Sequence, residues 1–218
     1  MSKTIIVSNR LPIKIQKNDN DLTYKPSAGG LATGLGSIYK EGNNVWLGWA
    51  GLCLANEQEE KQVTEHLKTE SLKPVFLTEA DLEGFYEGFS NATLWPSFHY
   101  FPQYAVYNDH FWQSYQVNQK FADAILEVCE ADDIVWIHDY QLLLVPQLIR
   151  EKRPNLSIGY FQHIPFPSYE IFRLLPWRRE LLLGMLGADL LGFHTYDDMR
   201  HFLSSVSRLA GIAYSHGE

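Results

Sequence analysis

Two histidines and an aspartate close two apolar runs of this chain. One is Ile134-Val-Trp-Ile-His138-Asp139-Tyr140; the other is Ile158-Gly-Tyr-Phe-Gln-His163-Ile-Pro-Phe-Pro167. A carboxylate at a strand end is suited to bind hydroxyl groups or to steer a proton. The spacing puts both histidines and Asp139 at one site built by two strands. A metal centre is the weaker reading. Neither H-x-x-x-H nor H-E-x-x-H occurs here and no cysteine lies near, while adjacent strand residues such as His138 and Asp139 point to opposite faces. Asp139 with Glu170 as a hydrolytic carboxyl pair has no supporting spacing, and G-x-S-x-G is missing.

Three further segments carry polar chemistry. Arg10, in Ser8-Asn9-Arg10-Leu11-Pro12, follows a first apolar run. It can clamp a phosphate or carboxylate bidentately, or serve as a surface arginine in a salt bridge. Ala28-Gly29-Gly30-Leu31-Ala-Thr-Gly34-Leu-Gly36 precedes a helix. Such a loop can bring its backbone close to an anion, or it can be a tight turn packed for its own sake. Its spacing is neither that of G-x-G-x-x-G nor that of a P-loop. Phe85-Tyr86-Glu-Gly-Phe89-Ser-Asn91-Ala-Thr-Leu-Trp95-Pro96 is dense in aromatics. Its phenylalanines read as core, whereas Tyr86 and Trp95 could stack on sugar faces or reach a phosphate oxygen.

The elements that must position these groups follow from the apolar pattern. Strands are expected at Thr4–Ser8, Val45–Trp49, Pro74–Leu77, from Ile134, from Ile158 and at Asp189–Phe193, with a hairpin over Ile13–Tyr24 turning at Asn18-Asp-Asn. Helices are expected from the glycine-rich segment to about Lys40, over Glu57–Thr69, after the capping box of Thr78 and Asp81, and over Asn108–Cys129. Two more are expected over Leu142–Lys152 and from Thr195, capped with Asp198, toward Leu209. Near-continuous hydrophobic strands alternating with helices predict an α/β fold. The sheet is expected to be Rossmann-like, mostly parallel and doubly wound, with helices on both faces and ligands at the carboxyl ends of the strands.

Bulk properties narrow the classes. The chain has 218 residues, 45% hydrophobic and 20% charged, enough for a sizeable core in one domain spanning 1–218. A net charge of −8 argues against nucleic-acid or anionic-membrane partners, though a few local cations can still dominate a pocket. The two cysteines, Cys53 and Cys129, sit in apolar contexts and read as buried thiols of a reducing compartment. No signal peptide and no span of about 18 apolar residues is present. A soluble, cytoplasmic protein is expected.

Taken in order, Ser8-Asn-Arg10, Ala28-Gly-Gly30-Leu31, Phe89-Ser-Asn-Ala-x-Leu-Trp95-Pro, Ile137-His-Asp-Tyr140, His163-Ile-Pro-Phe-Pro167 and Asp189-Leu-Leu-Gly-Phe193-x-Thr195 resemble the trehalose-6-phosphate synthase family. The resemblance runs from residue 4 to about residue 210. It implies a retaining GT-B glycosyltransferase that moves glucose from UDP-glucose to glucose-6-phosphate without a metal or other cofactor. Arg10 and Tyr86 then resemble the holders of the acceptor phosphate, and Asp139 a ligand of the acceptor hydroxyls. Gly29 and Gly30 resemble the loop against the donor phosphates, and His163 the donor-sugar contact at the reacting centre. Trp95 and Ile164 resemble positions linked to anomer selectivity. The resemblance also implies that the chain is the N-terminal, acceptor-side half, that the donor-binding C-terminal domain is absent from it, and that the half alone transfers no glucose. A synthase using another phosphorylated acceptor, such as glucosylglycerol-phosphate synthase, and a non-catalytic sugar-phosphate module remain open. So does a homo-oligomer.

Overall fold

The computed structural model describes residues 2–18, 21–27, 30–36 and 43–215. Six strands form one parallel sheet: β1 (Thr4–Arg10), β4 (Val45–Trp49), β5 (Leu72–Val75), β6 (Ile134–His138), β7 (Ser157–Phe161) and β8 (Leu190–Gly192). Their spatial order is β5-β4-β1-β6-β7-β8. The order reverses at β1, so the crevice of this doubly wound sheet opens between the carboxyl ends of β1 and β6. Between β1 and β4, β2 (Ile13–Asn18) and β3 (Asp21–Pro26) pair antiparallel as a separate hairpin. Residues 19–20 of the expected turn and the helix end near Lys40 lie outside the described residues.

The period-2 pattern divides β1 between two cores. Ile5 and Val7 join the larger one with Val135, Ile137, Ile158 and Tyr160, under the helices 117–128, 145–152 and 178–185. Ile6 points to the other face, with Trp46, Leu72, and Val63 and Leu67 of the Glu57–Lys68 helix. All three β1 residues are completely buried, as expected for a strand covered on both faces. The Glu57–Lys68 helix starts where Asn56 Oδ1 accepts from the N–H groups of Gln58 and Glu59, and acidic residues in its first turn favour the dipole.

Several boundaries differ from expectation for local reasons. The strand expected at Pro74–Leu77 lies two residues earlier, where Pro74 is tolerated because β5 is an edge strand. The Thr78–Asp81 capping box is present, but its helix continues as a π-helix over Leu82–Leu94. The helix expected over Asn108–Cys129 breaks into Asp109–Ser114 and Val117–Val128. Tyr115, fully buried at the break, takes up Tyr140 O and Leu143 N–H with its hydroxyl (2.7 and 3.1 Å). The Leu142–Lys152 helix starts only at Val145, after a 3₁₀ turn over Tyr140–Leu142. Two helical segments, Tyr169–Phe172 and Arg178–Met185, were not expected. Cys53 is only half-buried, contrary to the expectation of two buried thiols, while Cys129 is buried; both are free.

Candidate functional site

A cavity of about 290 Å³ opens at the reversal point, walled by Ser8, Asn9, Arg10, Gly30, Tyr86, His138, Asp139 and Gln141 among others. Five residues singled out from sequence thus meet: Arg10 from the end of β1, Gly30 from the glycine-rich segment, Tyr86 from the π-helix, His138 at the end of β6 and Asp139 just beyond it. Gly29 lies outside the described residues.

Arg10 makes no salt bridge among the described residues. Its guanidinium instead lies over the Trp49 ring, 4.8 Å from the centroid. Trp49 in turn packs 6.5 Å from Tyr86. Gly51, at φ +89°, passes beneath the same guanidinium; a Cβ there would sit 3.2 Å from Nη2. Among the described residues the guanidinium is thus seated on an aromatic face rather than in an ion pair, and it remains available to an anion.

Asp139 departs from the simple strand picture. β6 ends at His138, and Asp139 turns to φ 78°, ψ 166°, a region almost restricted to glycine. The alternation expected of His138 and Asp139 stops at that point. What holds the turn is backbone pairing. Asp139 N–H donates to Phe161 O at 2.8 Å. Its Oδ1 accepts from Tyr140 N–H at 2.9 Å and His163 N–H at 3.3 Å. Desolvation raises its carboxyl to about 6, although the N–H groups of Tyr140, His163 and Ile164 pull the other way.

His163 stands beside the cavity rather than in its wall. Its Nε2 lies 2.9 Å from Nδ1 of His138, which is 1% exposed. Burial, and then the neighbouring His163, depress His138 to about 3, and burial also lowers His163. Both rings are neutral near pH 7. Ile164 packs against the larger core and serves Asp139 through its N–H. Trp95 is 43% exposed, stacked on His99 at 4.1 Å, and is not part of the cavity wall. Among the described residues no group of three metal-ligating side chains occurs.

Sequence reasoning missed the support behind this wall. Asn118, completely buried, donates to Gln141 O (2.9 Å) and accepts from Leu144 N–H (3.1 Å). With Tyr115 it satisfies the backbone after Asp139, and Tyr140 Oη reaches Asn91 of the π-helix at 2.9 Å. A polar residue facing the core side of the amphipathic 117–128 helix was the available signal.

The fold and crevice define a Rossmann-like α/β protein with a polar pocket, holding Arg10 and Asp139, at its switch point. A glycosyltransferase family 20 model matches residues 2–218. An α,α-trehalose-phosphate synthase (UDP-forming) from Dictyostelium discoideum is 46% identical over 213 residues, which are 96% of this chain and 29% of that protein. A UDP-forming synthase from Burkholderia xenovorans, solved in complex with glucose-6-phosphate, superposes with TM-score 0.77 at 33% identity. The match covers 95% of this chain and 44% of that one. The N-terminal domain of a Candida albicans trehalose-6-phosphate phosphatase superposes with TM-score 0.82 at 32% identity, covering 99% and 45%. The chain belongs to glycosyltransferase family 20. It spans less than half the length of these relatives. No helix among the described residues is long and apolar enough to cross a membrane.

Proposed function

We propose that residues 1–218 form one acceptor-side unit of a UDP-forming α,α-trehalose-phosphate synthase. The reaction is retaining transfer of glucose from UDP-glucose to glucose-6-phosphate, giving trehalose-6-phosphate and UDP. One observation carries this reading: Arg10, without a carboxylate partner among the described residues, shares a single cavity with Tyr86 and Asp139. An unpaired guanidinium beside a phenol fits a phosphate, and a carboxylate opposite them fits sugar hydroxyls.

Arg10 and Tyr86 bind the 6-phosphate and Asp139 accepts hydrogen bonds from the acceptor sugar. Gly29 and Gly30 are assigned to the donor phosphates and His163 to the donor sugar. Trp95 and Ile164 bear on anomer selectivity. No side chain of the wall is placed as a nucleophile. The acceptor oxygen attacks from the face the leaving group departs, and the leaving phosphate takes its proton. The protein contributes positioning and electrostatic stabilisation. A donor-binding domain completes the cleft in the longer protein.

The test is UDP release by the full-length protein supplied with UDP-glucose and glucose-6-phosphate. Release dependent on both substrates supports the synthase. Release with glycerol phosphate in place of glucose-6-phosphate identifies a glucosylglycerol-phosphate synthase. The likeness to a phosphatase N-terminal domain favours a second reading, a sugar-phosphate-binding module without transferase activity. Glucose-6-phosphate binding without UDP release would establish it.

A further inference from the structure

The histidine at the end of β6 lines the cavity, yet the chemistry above gives it no task. We propose that His138 is a positioning residue that locks His163 in one tautomer and one ring orientation, so that His163 offers the donor sugar a hydrogen-bond donor through Nδ1. This rests on the reading of His163 as the donor-sugar contact.

The geometry assigns the proton. His138 Nδ1 and His163 Nε2 are 2.9 Å apart; with both rings neutral, one nitrogen donates and the other accepts. His138 Nε2 is buried without a partner. Were His163 the donor, His138 would carry its own proton on that Nε2, leaving a buried N–H with no acceptor. With His138 donating from Nδ1, only a lone pair goes unmatched, the less costly of the two. His163 then accepts at Nε2 and is protonated at Nδ1, which has no hydrogen-bond partner among the described residues.

The lock is rigid on both sides. The His138 ring packs against Trp136 (centroids 4.6 Å apart) and the His163 ring against Phe161 (4.7 Å). His194, just beyond β8, stands edge-on to His163 at 5.7 Å. The backbone of His163 is held separately, by its N–H to Asp139. Only its ring therefore depends on His138. A carboxylate–histidine pairing fixes imidazole tautomers in the same way, through the nitrogen not used for chemistry.

The full-length protein serves for the test, with His138→Phe, which fills the space without a ring N–H, and His138→Asn, whose side-chain amide can replace Nδ1–H. In wild type, two-bond ¹H–¹⁵N correlation of the ring should find His163 protonated at Nδ1; that state should be lost in H138F and kept in H138N. In parallel, kcat/KM for UDP-glucose should fall about tenfold in H138F, one ordinary hydrogen bond's worth. H138N should recover most of the loss. A wild-type His163 protonated at Nε2, or equal defects in H138F and H138N, overturns the proposal. If the unsubstituted protein releases no UDP, the transferase reading fails, and with it the donor-sugar role, while the NMR result still decides the tautomer lock.

Discussion

Asp139 combines a half-buried, desolvated carboxyl with a backbone conformation that few residues tolerate, and D139N separates the two. Asparagine accepts positive φ about as readily as aspartate and keeps an Oδ1 acceptor for Tyr140 and His163. The substitution therefore removes mainly the charge. Folding raises the carboxyl from its ordinary 3.8 to about 6. The sign follows directly. Below about pH 4 the group is protonated in both states and contributes no difference. Between about pH 4 and 6 the unfolded chain gives up its proton while the folded one keeps it, so stability falls as pH rises. Above about pH 6 the penalty levels off near 3 kcal/mol, from about 1.4 kcal/mol per pH unit. Some solvent reaches the half-buried side chain, which brings the expected figure to about 1–2 kcal/mol. D139N should accordingly be more stable than the parent by that amount at pH 8 and equal to it at pH 4. Denaturant unfolding of both forms across this range measures the difference, and other titrating groups cancel in it. A stability gain independent of pH, or a loss at pH 8, would refute the view that a destabilised carboxylate is held here. The same variant should lose acceptor affinity, the signature of a site kept at the expense of stability.

Three other outcomes follow from contacts at the wall. Arg10→Ala should weaken glucose-6-phosphate binding about 10- to 100-fold, since a charge-assisted hydrogen bond is worth about 1.5–3 kcal/mol; calorimetric titration of the full-length protein reads this, and an unchanged Kd rules out the clamp. Gly51→Ala places a methyl 3.2 Å from Arg10 Nη2 at a φ of +89°, so a stability loss of about 1–2 kcal/mol should accompany weaker acceptor binding. Tyr115→Phe strips the partner from Tyr140 O and Leu143 N–H; a loss of about 1–3 kcal/mol is expected by thermal unfolding, and an unaltered Tm would show that those groups find other partners.

What the sequence disclosed and what it concealed differ in range. Val45–Trp49 was legible to the residue because a continuous apolar run needs no information from elsewhere. The Thr78–Asp81 box was legible because its bonds close within four residues. Arg10, Tyr86 and Asp139 were legible as candidate site residues by type and motif order, and they line one cavity. The turn at Asp139 was not, because it is imposed by Phe161 O and the His163 N–H, more than twenty residues away. Nor was the break at Tyr115. Its local pattern continues a helix, and only the hydroxyl's bonds to the backbone after Tyr140 show why a buried tyrosine sits there. The tautomer of His163 depends on a neighbour 25 residues back, and no spacing rule reports it.

The single carboxyl oxygen of Asp139 receives N–H groups from the loops after both β6 and β7. One side chain therefore serves as the hinge pin between the wall proposed for the acceptor and the histidine proposed for the donor. Substitutions on either side should be strongly epistatic, because each alters the seat of the other. A lineage drifting toward a different phosphorylated acceptor would have to change Asp139 and its neighbours as a set, and single steps through that set would pass through poor enzymes. Acceptor choice in such a protein should therefore evolve in jumps, each one changing the knot at the two strand ends as a unit.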